Sequence, residues 1–175
     1  MINREHEGSN TVSLAERRIF SASFKPLYDE GMGLVERAAE YLDGDGRVAA
    51  KNLSRTGSTL YAAESMRLTT RLMQVASWLL LQRAANSGEM TRDQVATEKS
   101  KVRLDTASAQ ADTAGWSELP AEFCTIVDHS LRLQALVRRM DNAIYGEADL
   151  SAGAMRHGNP VSDQITLLQT AFARG

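Results

Sequence analysis

The stretch ESMRLTTRLMQVASWLLLQRA, from Glu64 to Ala84, is the most apolar part of the chain, and its reading decides the fold. Between Arg71 and Arg83 the uncharged run LMQVASWLLLQ has 11 residues, two of them Gln. A helix that crosses a membrane needs about 20 largely apolar residues, so the stretch reads as a helix of a folded protein. On a helical wheel Leu72, Val75 and Leu79 lie within about 40° of Leu68, while Met66, Met73 and Leu80 form a second stripe about 120–160° away. Glu64, Arg67, Arg71 and Gln74 occupy the remaining arc, joined by Trp78 and Leu81. Two apolar stripes are more than one neighbouring helix can bury. The expectation is a central bundle helix with surplus surface, covered by a second copy of the chain through Met66, Met73, Leu80 and Leu81.

The helix must stop at Asn86-Ser87-Gly88, a C-terminal signal, and begins at the earliest near Arg47, with Gly57 as the expected bend and Ser58 as an alternative start. Before it, Phe24, Leu27, Gly31, Leu34, Ala38 and Leu42 recur at helix period. Pro26 is best tolerated in a first turn, which places the start of that helix near Ser23 or Phe24. Gly31 and Gly33 read as points of close helix contact rather than a phosphate loop, since no strand precedes them. After it, Pro120 opens a third helix, PAEFCTIVDHSLRLQALVRRMDNAIY, closed by Gly146. Phe123, Ile126, Val127, Ser130, Leu133, Val137, Met140 and Ile144 share one of its faces, opposite Asp128, Arg132 and Arg139.

These elements predict an all-α fold: an antiparallel three-helix bundle with a long central helix and flexible N- and C-terminal tails. Residues 1–22 are expected as a flexible segment, 23–145 as the bundle and 146–175 as a flexible tail. Residues 87–119 read as a mobile loop, although Thr91 and Gln94 have the spacing of a capping box. Near the end, Ile165, Leu168 and Phe172 share a helix face and form a second candidate partner contact; packing back onto the bundle is the alternative.

Composition narrows the function. In 175 residues with 43% hydrophobic content there is material for a real core, and a formal charge of −2 draws the chain to neither nucleic acid nor an anionic membrane. The single cysteine, Cys124, forms no internal disulfide, which suits a reducing compartment. MINREHEGSN has no apolar core for a signal peptide, so the expected localisation is cytoplasmic.

Catalytic chemistry finds no constellation. His6 and His157 fall in the tails. Cys124 and His129 are five residues apart on one helix and diverge by about 140°, too far to share a metal. Glu36 and Glu40 lack the Glu-x-x-His partner of a di-iron bundle. The expectation is no enzyme, no cofactor and no metal. The candidate partner-binding residues are Glu64, Arg67, Arg71, Gln74 and Trp78 on the central helix, besides the three in the tail. Arg67 and Arg71 repel one another and call for a carboxylate nearby, from Glu64 or from another helix. A helical DNA-binding regulator, meeting phosphates through Arg67, Arg71, Arg83, Arg138 and Arg139, is the alternative; its helices would be long for a helix-turn-helix unit.

The string YAAESMRLTTRLMQVASWLLLQRAANSGEMT, followed by LPAEF and SLRLQALVRRMD, resembles the bacterial family of the regulator of CtrA degradation, over about Phe24 to Tyr145. The resemblance implies a dimeric, three-helix protein with flexible ends. It further implies an adaptor that helps bring cell-cycle substrates, such as the transcription factor CtrA, to the ClpXP protease. That protease is primed by a response-regulator protein, and the family acts at the cell pole, directly or through a further adaptor. The family's C-terminal tail, connected with its activity, corresponds by position to residues 146–175.

Overall fold

The structure, a computed structural model, describes the backbone of residues 8–156 and the side chains of residues 22–145. Among the described residues it is helical and contains no strand. Helix α1 spans Gly8–Asp43, α2 Asp45–Ala50, α3 Arg55–Ser87, α4 Arg92–Lys99 and α5 Ala121–Arg156, with a 3₁₀ turn at Trp116–Glu118. Ile165, Leu168 and Phe172 lie outside the described residues, as do His6 and His157.

Helix α3 is the long central element and runs unbroken for 33 residues, about 50 Å at 1.5 Å per residue. Ser54 caps its start by accepting the Gly57 N–H at 3.1 Å. Gly88 ends it in the left-handed region, at φ 77°, where a glycine meets no steric penalty. Gly57 is therefore no bend. It sits in the first turn because Glu118 packs against it, and a Cβ there would come within 2.8 Å of the Glu118 carboxylate. The same carboxylate accepts from the Ser54 N–H at 3.1 Å and the Ser54 hydroxyl at 2.8 Å. An acidic group at a helix start also suits the helix dipole.

Two helix boundaries depart from the sequence reading. Helix α1 does not start near Ser23 or Phe24; it passes through Pro26 and reaches back to Gly8. Pro26 has no N–H for the Ala22 carbonyl, a defect of about 3 kcal/mol in a helix interior. The buried side chains of Phe24 and Leu27 hold the segment in place around it. Helix α5 likewise continues through Gly146 to Arg156, so residues 146–156 are not an unstructured tail. One glycine costs a helix only about 1 kcal/mol, and EADLSAGAMR supplies good helix formers on its far side.

The chain divides into two compact units, residues 1–137 and 138–175. In the first, α1, α3 and the first part of α5 enclose the core. Tyr41, late in α1, lies beside Phe123, early in α5, with ring centroids 6.3 Å apart. Tyr61, early in α3, packs on the same Phe123 ring at 4.6 Å. Further along, Glu30 of α1 meets His129 of α5 at 2.7 Å, and Tyr28 accepts from Arg83 of α3 at 2.9 Å. Hence α1 runs antiparallel to both partners, and α3 and α5 run parallel to each other. Two parallel helices cannot be joined by a short turn, and residues 88–120 supply the crossover. In the second unit the side chains of Met140 and Ile144 are half-buried.

The expected faces are buried: Phe24, Leu27, Leu34 and Ala38 on α1, Leu68, Leu72, Val75 and Leu79 on α3, and Phe123, Ile126, Val127, Leu133 and Val137 on α5. The two mid-helix glycines of α1 behave differently. A Cβ on Gly31 would strike the Leu79 side chain, whereas one on Gly33 would meet nothing within 4 Å. We predict that Gly33→Ala raises the unfolding free energy by roughly 0.5–1 kcal/mol while Gly31→Ala lowers it. Urea denaturation of the two variants checks this, and stabilisation of both would contradict the close contact at Gly31.

Candidate functional site

The crossover is the part of the molecule that sequence reasoning described least well. Helix α4 opens with the expected capping box: Gln94 N–H donates to the Thr91 hydroxyl at 3.2 Å, and Thr91 N–H to the Gln94 side chain at 2.9 Å. Beyond Lys101 the chain has no regular structure as far as Gln110, yet it is pinned rather than loose. Lys101, Arg103, Asp105 and Ala107 are exposed, while Val102, Leu104, Thr106 and Ser108 alternate with them and are half-buried. This period of two is the mark of an extended segment with one face inward. The segment is a strap laid along the seam between α3 and α5.

Beneath the strap lies a buried polar network. Glu64 and Arg71 are both 0% exposed. The Glu64 carboxylate accepts from the Arg67 guanidinium, from the Ser108 hydroxyl and, at 2.9 Å, from the Ala109 N–H. Arg71 donates to the Thr106 carbonyl at 3.1 Å, to Ser130 of α5 at 2.7 Å and to Ser108 at 3.4 Å. Ser130, itself buried, passes its own proton to the Val127 carbonyl at 2.6 Å. Thr106 ties the strap to both helices: its hydroxyl donates to Gln74 at 2.9 Å, and its carbonyl also accepts from Gln134 of α5 at 3.3 Å.

Burial by itself pushes the Glu64 carboxyl up. The hydrogen bonds from Ser108, Ala109 and Arg67, with the Arg67 charge, outweigh that and hold it below its ordinary value. Burial lowers Arg71, opposed by the Glu64 charge and assisted by that of Arg67. The network is thus a charged cluster sealed by the strap and satisfied through it, the arrangement in which buried ions are tolerated.

This geometry redistributes the candidate contacts of α3. Glu64, Arg71 and Trp78, each seven residues from the next, form a buried line rather than a polar outer arc. Glu64 and Arg71 bond to the strap and, for Arg71, to α5, and Trp78 is 2% exposed. Gln74 is half-buried and bonded to Thr106. Arg67 keeps 43% of its side chain exposed, and its carboxylate partner is Glu64, one of the two sources the sequence left open. The signal that could have shown this was the alternation in KVRLDTAS, which marks a segment with an inward face.

The second apolar stripe stays uncovered. Met66 is 73% exposed, Met73 66% and Leu80 49%, while Leu81 is half-buried. With Ala62, Thr69 and Ala76 between them, these residues repeat at steps of four and three along α3, the spacing of a coiled-coil seam.

Around Cys124 and His129 no reactive pair forms. The Cys124 thiol is half-buried, and burial, then the neighbouring Asp128 charge, raise its pKa, which keeps it protonated and a poor nucleophile. The His129 ring is occupied with Glu30. Among the described residues no group of three or more His, Cys, Asp or Glu side chains could hold a metal ion, and no helix is long and apolar enough to cross a membrane.

Comparison with known proteins decides the family. A family model described as "Protein of unknown function (DUF1465)" matches residues 15–172. The chain is also similar to a solved structure, that of RcdA from Caulobacter crescentus CB15, with 44% sequence identity, a TM-score of 0.58, and coverage of 70% of this chain and 90% of that one. The chain belongs to this RcdA-like family. A search of curated proteins found no match. The all-helical architecture and the central α3 are the setting in which any function of this RcdA-like chain has to work.

Proposed function

We propose that this RcdA-like chain is a non-enzymatic adaptor that helps deliver cell-cycle substrates, a CtrA-like transcription factor among them, to the ClpXP protease. The observation that carries the reading is the 44% identity to RcdA over 90% of that chain. The described residues fit such a role through surfaces rather than through chemistry: a buried charged cluster ties α3 to the strap and to α5, and an apolar stripe on α3 is exposed. An adaptor works by raising the effective concentration of cargo beside the enzyme, which asks for rigidity and contact surfaces. In this reading the protein is a cytoplasmic homodimer, recruited to the cell pole with a protease primed by a response regulator. The Met66, Met73 and Leu80 stripe forms the dimer seam, and residues 157–175, with Ile165, Leu168 and Phe172, contact the protease complex or a further adaptor.

The test is direct binding. Immobilised full-length chain is expected to retain the primed protease from purified components, and removal of residues 157–175, which leaves every described helix whole, is expected to weaken retention. Equal capture by the two forms would remove the tail from the proposal, and capture by neither would contradict the adaptor role itself. A DNA-binding regulator would instead show a duplex affinity that falls steeply with salt.

A further inference from the structure

Between the strap and the first half of α3 runs a groove of about 630 Å³, separate from the outward stripe. Its α3 side carries Arg55, Thr59, Ala63 and Arg67, and Ala109 and Ala114 of the strap face them. We propose that this groove binds an extended acidic peptide segment of a cargo protein, with one carboxylate at Arg55 and a second at Arg67.

Three features select that occupant. The groove has two cations and no acidic lining residue. Glu64, the nearest buried carboxylate, is committed to Arg67, Ser108 and Ala109, which leaves Arg67 further donors on a guanidinium that has five. Arg55 has no carboxylate partner among the described residues. The walls between the arginines are Thr and Ala with one leucine, Leu60, which leaves room for a peptide backbone with small side chains. The spacing suggests the register: Arg55 and Arg67 are separated by an axial rise of about 18 Å on α3, turned by about 120° around it, and an extended peptide covers that rise in about five residues. The preferred ligand therefore carries two carboxylates five residues apart. A nucleic acid backbone would need a denser row of cations than two.

The inference rests on the adaptor reading for the identity of the peptide as cargo, but its test needs no protease. Fluorescence anisotropy of the labelled peptide GDAASADG is titrated with the full-length chain. Saturable binding is expected, weakened about fivefold by Arg55→Ala and about as much by Arg67→Ala, the scale of exposed ion pairs. The neutral peptide GNAASANG should not bind, moving the second Asp two residues closer should weaken binding, and about 0.5 M salt should abolish it. No saturable binding, binding that survives both arginine variants, or displacement of the peptide by duplex DNA at lower concentration would each overturn the proposal. Arg55 is exposed, so Arg55→Ala keeps the fold, and circular dichroism verifies that for both variants. Failed peptide binding with intact cargo delivery removes the groove alone; arginine-dependent binding without delivery removes the adaptor role alone.

Discussion

Glu64→Ala is expected to lower the unfolding free energy by about 3–5 kcal/mol, the cost of leaving a buried charge without its partner. The variant leaves Arg71 buried beside the like charge of Arg67 with no carboxylate between them, and it orphans the Ala109 N–H and the Ser108 hydroxyl. Arg71→Ala should also destabilise, since Ser130 loses its donor and the Thr106 carbonyl keeps only that of Gln134. Because both residues belong to one network, the double variant should lose less than the sum of the two. Urea denaturation measures all three, and a loss below about 1 kcal/mol for Glu64→Ala would show that the cluster is hydrated rather than sealed.

The same network fixes a pH dependence. The folded-state pKa of Glu64 lies below its ordinary value of 4.5, so the ionised form is favoured by folding. Its contribution is fully present above about pH 4.5 and is lost as the pH falls through the depressed folded-state value. In Glu64→Gln that part of the acid limb should flatten. An unchanged slope below pH 4.5 would assign the acid sensitivity to other carboxylates.

The second large effect concerns the outward stripe. Met73 sits at the middle of the Met66, Met73 and Leu80 line and is exposed in the single chain. Met73→Asp should change the stability of the monomer by no more than about 0.5 kcal/mol, as for other surface substitutions. In a two-fold dimer, however, the stripe packs against itself, so one substitution places two carboxylates in the seam. Desolvating them costs at least about 3 kcal/mol, which raises the dimer dissociation constant by about 100-fold or more. Sedimentation equilibrium against concentration reads this directly. A wild-type chain that stays monomeric at high micromolar concentration would contradict the seam.

The three core faces were legible in the sequence because each keeps a helix period with few interruptions, and Leu68, Leu72, Val75 and Leu79 fall inside as that pattern requires. Gly88 and the Thr91–Gln94 capping box were legible for a similar reason, since both act within one turn of chain. What the pattern hid was tertiary. The parallel course of α3 and α5 follows from the length of the crossover, and a long polar loop reads as loose until its inward residues are seen to have partners. Glu64 and Arg71 read as outer residues because charge is ordinarily exposed. The strap, through Thr106, Ser108 and Ala109, joins Arg67 and Ser130 in satisfying them. Pro26 and Gly146 misled in the opposite direction, as local helix breakers overridden by their surroundings.

The adaptor role is tested most directly by reconstituted proteolysis. A CtrA-like cargo is incubated with ClpXP, its response-regulator priming factor and ATP, with and without the full-length chain, and disappearance of the cargo is followed by gel. The adaptor role requires faster degradation when the chain is present and no cleavage by the chain alone. An unchanged rate across candidate cargos with the primed protease, or cleavage that needs only this chain, would contradict it.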